Sequence, residues 1–251
     1  MKSALIPMIG ALVLACSGCG GGGGDSASAQ SAAPAAPKTV LVEAYGDSTT
    51  VGVEIPPSGG FITKNSVPAL LQSALQAKFG TTVTMSNQGV SSTEASQLLN
   101  GTDGVHPSWN TQMAASKAQI VTINMTLNSP YFAATQTPGV TVESPSTYAD
   151  VMTQLVSIAK QAGKQVILLE PNPTCEPIRQ PVLGQYVTAL RQVAQQQGVP
   201  IVGEYDVMMA MPNWQGLLSD CLHPTDDGYQ IKAGLEFPVL SDAVSKLMTS
   251  R

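Results

Sequence analysis

The stretch Thr39-Val40-Leu41-Val42-Glu43-Ala44-Tyr45-Gly46-Asp47-Ser48-Thr49-Thr50 begins with a β-branched, apolar run of period two, which predicts a strand entering a buried sheet. Gly46, Asp47 and Ser48 are all common turn formers, so on their own they describe only a bend. Behind a buried strand, the same bend sets Ser48 at the carboxyl edge of the sheet, where open α/β proteins keep their chemistry. Far along the chain, Asp220-Cys221-Leu222-His223-Pro224 puts a carboxylate three residues before an imidazole. The two stretches together supply a hydroxyl nucleophile, a base and an acid to orient it.

Outward from this turn, strands and helices alternate. A Pro- and Gly-rich loop is expected from Gly52 to Lys64. Apolar residues at Val67, Leu70, Leu71, Leu75 and Phe79 predict a helix over 66–79 that stops at Gly80. Strands are expected at 82–87, 120–125, 165–170 and 200–203, and helices at 93–99, 148–161, 185–197 and from about Asp226 to Met248. Residues 128–144 are expected to be irregular. Five strands at this spacing suit βαβ crossovers, so the expected architecture is α/β: three layers, α/β/α, around a five-stranded parallel sheet.

The 251 residues suit one such domain with appendages. Lys2 precedes an apolar segment, Ala4 to Ala15, of signal-peptide length and too short to span a membrane. Val13-Leu14-Ala15-Cys16 matches a bacterial lipobox, which would make Cys16 the lipidated residue, with Cys19 as rival acceptor. Residues 20–37, a glycine run followed by Ser, Ala, Pro and Gln, lack the apolar surface to fold and read as a tether. The expected organisation is therefore a signal region at 1–19, a linker at 20–37 and a folded domain at 38–251. An exported protein of the bacterial envelope, lipid-anchored or secreted, follows from this. The net charge of −5 and only 12 Lys plus Arg offer no basic face to nucleic acid, and a monomer is expected. Within the domain, Cys175 and Cys221 would pair in an oxidising compartment and brace the loop of Asp220 and His223, or remain as two buried thiols. The sequence leaves both open.

Taken together, the turns after the strands resemble the SGNH branch of the GDSL hydrolases, a family of esterases and lipases. Gly46-Asp47-Ser48 corresponds to its first block, Asn87-Gln88-Gly89 to the second, Leu127-Asn128 to the third and Asp220-Cys221-Leu222-His223 to the fourth. The resemblance runs from about Thr39 to the C-terminus and rests on the joint order of the blocks. It implies a flavodoxin-like SGNH fold and a serine esterase without a cofactor, acting on a small ester such as an acetylated sugar or short lipid. In it Ser48 would be the nucleophile, His223 the base, Asp220 its orienting acid, and Ser48, Gly89 and Asn128 the oxyanion donors. The third block departs from the family's Gly-x-Asn-Asp: Thr126 replaces the glycine and Ser129 the aspartate, which leaves Asn124 as a competitor for Asn128. An inactive binding lipoprotein or an acyltransferase with the same triad are the alternative readings.

Other candidates are weaker. His106 is assigned to a surface loop without a carboxylate partner. Asp226 and Asp227 have no His or Cys at ligand spacing, so no metal site is expected, and they suit the start of the last helix. Tyr131, Phe132, Trp109 and Trp214 could line a pocket, although packing is the commoner role for a single aromatic.

Overall fold

A computed structural model describes residues 38–250. The signal region with Cys16 and Cys19, and the linker up to Pro37, lie outside the described residues. The elements in chain order are β1 (Val40–Gly46), α1 (Ser48–Val51), β2 (Val53–Glu54), β3 (Phe61–Ile62), α2 (Val67–Phe79) and β4 (Val83–Gly89). They continue with α3 (Ala95–Asn100), α4 (Trp109–Ala115), β5 (Ile120–Asn124), α5 (Asn128–Thr135), α6 (Pro145–Gln161) and β6 (Gln165–Leu169). The chain ends with α7 (Leu183–Gln197), β7 (Ile201–Val202), α8 (Tyr205–Met209) and α9 (Asp226–Thr249).

Five strands form one parallel sheet in the order β4-β1-β5-β6-β7. Alternation along the strands divides the core in two. Val40 and Val42 of β1 and Ile167 and Leu169 of β6 pack under α2 and α9 with Leu71, Leu75, Tyr229 and Val244. Tyr45, Val121, Ile123, Val166 and Leu168 face the opposite layer, built from α3, α4, α6 and α7 with Trp109, Met152, Leu155 and Leu190. A sheet covered on both faces needs strands that are apolar on both sides, and β5, wholly buried, is the clearest case. The three-layer α/β/α fold with a five-stranded parallel sheet is thus the one expected. All strand carboxyl ends point to one edge, and the connections leaving that edge carry every candidate catalytic residue.

Three helices and a hairpin go beyond the sequence reading. The 128–144 stretch expected to be irregular opens with α5, of which only Asn128, Ser129 and Pro130 are buried; a helix buried over its first turn alone shows no apolar period. Helices α4 and α8 are likewise short. Within the expected loop at 52–64, β2 and β3 form an antiparallel pair of two residues each, too brief to show alternation. Trp109 packs wholly within the core, where its Nε1–H donates to the Leu155 carbonyl (2.8 Å) and its ring meets Tyr45 edge-on. Trp214 is also buried. Packing, not pocket lining, is therefore the role of both tryptophans.

Candidate active site

β1 runs between β4 and β5, and its last residue, Gly46, lies in register with Gly89 on one side and Asn124 on the other. A Cβ on Gly46 would stand 2.8 Å from the Asn124 carbonyl oxygen, so only glycine lets the chain turn this tightly off the sheet. Asp47 caps the helix that starts there: its Oδ1 accepts from the Thr49 N–H (2.9 Å) and from Thr49 Oγ1 (2.8 Å). Burial pushes the Asp47 carboxyl above its ordinary range, against the Thr49 bonds and the charge of Lys232. Ser48 is the first residue of α1, so its N–H belongs to the donors a helix start leaves unpaired.

The loop before α9 brings the other two side chains to Ser48. His223 Nε2 lies 3.0 Å from Ser48 Oγ, and His223 Nδ1 lies 2.8 Å from Asp220 Oδ2. The other Asp220 oxygen accepts from the Leu222 and His223 N–H groups (3.1 and 2.7 Å), which fixes the carboxylate against its own turn. Partial burial works to raise the Asp220 carboxyl, but the His223 backbone and ring and the Leu222 N–H outweigh it and hold it below its ordinary range. Ser48 is 9% exposed and His223 7%, so both side chains are largely enclosed by protein. Cys221, inside this turn, is disulfide-bonded to Cys175 of the β6 loop. The two loops are also joined by hydrogen bonds from the Cys175 N–H and Thr174 Oγ1 to the Cys221 carbonyl (3.0 and 2.6 Å) and from Asn172 Nδ2 to the Leu222 carbonyl (3.0 Å).

Asn128, at the start of α5, is 5% exposed. One hydrogen of its Nδ2 goes to the Thr93 carbonyl (2.9 Å), and its Oδ1 accepts from Arg179 Nη2 (3.1 Å). Ser129, which stands where the family has aspartate, donates through Oγ to Glu143 (2.5 Å), and the second Glu143 oxygen accepts from the Ser96 N–H (2.6 Å). A carboxylate is thus restored to the third block from 14 residues further on. The Gly89 N–H donates to Asn87 Oδ1 (2.9 Å). A Cβ on Gly89 would stand 2.7 Å from the Val51 nitrogen, so glycine lets β4 press against α1. Asn124 instead lines a cavity of about 10 Å³ beneath α1, together with Thr49, Thr50, Thr122, Lys232 and Glu236.

Two assignments change and one residue is added. His106 has a carboxylate partner after all: Asp103 precedes it by three residues, and Asp103 Oδ2 lies 2.8 Å from His106 Nδ1. The spacing stands in the sequence as Asp103-Gly104-Val105-His106. Asp226 does more than favour a helix start, since it accepts from Thr63 Oγ1 (2.5 Å) and Asn65 Nδ2 (2.7 Å) and so ties the segment after β3 to α9. Arg179, against Asn128, was missed altogether, because a lone arginine in the proline-rich loop 171–181 carries no periodic or motif signal. Among the described residues, no group of three or more His, Cys, Asp or Glu is placed to hold a metal ion.

The fold that carries this site, a five-stranded parallel sheet between two helical layers, recurs in solved structures. Similar in structure are the lipase/acylhydrolase from Enterococcus faecalis (18% identity, TM-score 0.64, covering 82% of this chain and 97% of that one) and an acetylxylan esterase from Geobacillus stearothermophilus (20%, 0.58, 86% and 96%). So is the acetyl xylan esterase AlAXEase (16%, 0.62, 80% and 100%). At such identities the likeness shows the fold. Among curated proteins, no sequence matches this chain. The GDSL-like lipase/acylhydrolase family matches residues 44–231, from the strand before Ser48 to the helix after His223. The chain belongs to that family and is a carboxylic ester hydrolase.

Proposed function

We propose that the protein is an exported serine esterase that removes short acyl groups, acetyl above all, from sugars or small lipids through a Ser48–His223–Asp220 triad. The observation that carries this reading is the unbroken contact series from Asp220 Oδ2 through the imidazole to Ser48 Oγ, at 2.8 and 3.0 Å. Ser48 Oγ attacks the ester carbonyl carbon while His223 Nε2 takes its proton. Asp220 keeps Nδ1–H in place, so that the lone pair of Nε2 faces the serine, and it stabilises the imidazolium once formed. The tetrahedral oxyanion is met by the Ser48 N–H, the second Nδ2–H of Asn128 and the Gly89 N–H, the last shared with Asn87 Oδ1. Collapse breaks the bond to the alcohol oxygen, which takes the proton from His223 and leaves an acyl-serine. Water then attacks that ester, gives its proton to the same nitrogen, and the acid departs with Ser48 restored.

The small acyl group is supported by the burial of Ser48 and His223, which leaves little room beside the hydroxyl, and by the acetylxylan esterases among proteins of similar fold. Export, with lipidation at Cys16 and residues 20–37 as tether to a single domain at 38–251, is supported by the N-terminal sequence and by a disulfide beside the site. The expected result with the purified full chain is labelling of Ser48 by a fluorophosphonate and a rate on p-nitrophenyl esters that falls steeply from acetyl to octanoyl. A Ser48→Ala variant hydrolysing the acetyl ester at the parent rate would remove the nucleophile from this scheme.

A further inference from the structure

Asn128 is the one oxyanion donor on a side chain, and a carboxamide can present either its oxygen or its nitrogen to a site. What fixes its orientation is on the opposite side of the amide. Arg179 comes from the loop after β6 and is 7% exposed. Its guanidinium makes three separate contacts: Nε donates to the Leu127 carbonyl (2.9 Å), Nη2 to Asn128 Oδ1 (3.1 Å) and Nη1 to Glu176 Oε2 (3.0 Å). Its plane lies over the Tyr131 ring, 4.3 Å from the centroid. The Leu127 carbonyl just before α5 and the Asn128 side chain at its start are therefore held by one cation, and that cation is itself held by a carboxylate and an aromatic face.

We infer that Arg179 is a positioning residue of the oxyanion hole, which aims the Asn128 amide at the reacting carbonyl and strengthens it as a donor. A flip of the amide would set its NH₂ group against the guanidinium and its oxygen against the Thr93 carbonyl, two repulsive contacts in place of two hydrogen bonds. One orientation survives, with Nδ2 towards Thr93 and its remaining hydrogen available. A cation on the amide oxygen also draws electron density from nitrogen, so that hydrogen becomes more acidic just where negative charge develops. The altered third block fits the same picture. With no aspartate after Asn128, Ser129 and Glu143 hold the chain, and Arg179 holds the side chain.

This inference rests on Ser48 being the nucleophile, and its test separates the two. Steady-state hydrolysis of p-nitrophenyl acetate by the full chain is compared for Arg179→Met, Asn128→Ala and the double variant, with Ser48→Ala in parallel. Asn128→Ala is expected to lower kcat about 10²–10³-fold, as loss of one oxyanion donor does. Arg179→Met is expected to lower kcat about 10–100-fold, a share of that donor's effect, with KM within about twofold. In the double variant the two losses should not multiply, because Arg179 has nothing left to aim. Should Arg179→Met fail to fold, Arg179→Lys, which keeps the charge and loses the fork, is expected to show a smaller kcat loss that again vanishes in the Asn128→Ala background. A kcat within about threefold of the parent, or losses that multiply, would overturn the assignment even with Ser48→Ala inactive. An active Ser48→Ala variant would instead overturn the reading beneath it.

Discussion

The molecule contains the same Asp-x-x-His turn twice, and only one copy faces a serine. In both, one aspartate oxygen accepts from two backbone N–H groups: Leu222 and His223 at 3.1 and 2.7 Å, Val105 and His106 at 2.9 and 2.7 Å. In both, the other oxygen meets Nδ1 at 2.8 Å, and the residue after the aspartate is left-handed, Cys221 at φ +68° and Gly104 at +82°. The imidazoles are about equally enclosed, at 9% and 11% side-chain exposure. They part at Nε2, which faces Ser48 Oγ in one copy and Gln88 Oε1, at 3.2 Å, in the other. An oriented histidine is thus a local product of four residues. The proposed catalytic one adds a partner 175 positions away in sequence, delivered by the sheet.

The widest gap between the copies should come from removing each imidazole. His223→Ala is expected to lower kcat on p-nitrophenyl acetate by about 10⁶-fold, the scale on which a triad loses its base, and to abolish fluorophosphonate labelling. His106→Ala should leave kcat within a few-fold of the parent and act on stability, since it leaves the buried Asp103 carboxylate short of one partner at roughly 1–3 kcal/mol. Thermal unfolding and kinetics measured on both variants check the contrast. Comparable kinetic losses would mean that the second turn takes part in the reaction and that the geometric distinction is empty.

The same pair of turns marks what could be read in advance. The strands and the three-layer arrangement are legible in the apolar runs of β1, β5 and β6, where burial on both faces leaves a strong pattern, whereas the strand order is not. Ser48, Asp220 and His223 were legible because turn chemistry and triad spacing are written in short local strings. The Asp103–His106 pair is written just as locally, but with no nucleophile to complete a constellation its spacing carries no functional signal. Arg179, Thr93 and Glu143 were not legible at all. Each meets the start of α5 from a different loop, and α5 itself hides behind a sequence, Asn-Ser-Pro-Tyr-Phe-Ala-Ala-Thr, that buries only its first turn. Tertiary contacts of single side chains leave no period to detect.

A second contrast lies in how the two turns hold their left-handed residue. Gly104 adopts it without steric cost, whereas a residue bearing Cβ resists it by roughly 1–2 kcal/mol. Cys221 is kept there by its bond to Cys175 and by two donors on its carbonyl. The bond also closes a loop with a sequence separation of 46, worth about 4 kcal/mol in the unfolded-chain estimate. Reduction should therefore loosen the Asp220–His223 turn and spare the other. The expected outcome for Cys175→Ser, or for the parent in reductant, is a loss of several degrees in Tm and about tenfold in kcat. Cys221→Gly, which relieves the left-handed strain, should recover part of the rate relative to Cys221→Ser. Equal rates for those two variants would show that the backbone conformation is not what the disulfide protects.

The mildest contrast is one of pH. Asp220 is held below the usual carboxylate range, so its contribution to stability is present above that range and lost only as pH falls through the depressed value. On the side of α3, which leads into the second turn, Glu94 behaves oppositely. Burial first, and then the Glu143 carboxylate, push it up to about 8, against hydrogen bonds from Ser96 and Thr141. A raised acid stabilises the fold while protonated in it, so this contribution is full below the ordinary glutamate range and drains away as pH rises towards and through 8. Ionised, Glu94 would repel Glu143 beside Thr93, whose carbonyl anchors Asn128. The expected outcome is a Tm that declines by a few degrees between pH 6 and 9 in the parent and less in Glu94→Gln, with kcat falling alongside in the parent only. If Glu94→Gln keeps the full alkaline decline, the sensitivity belongs to another group, and the paired carboxyls under α5 have no part in it.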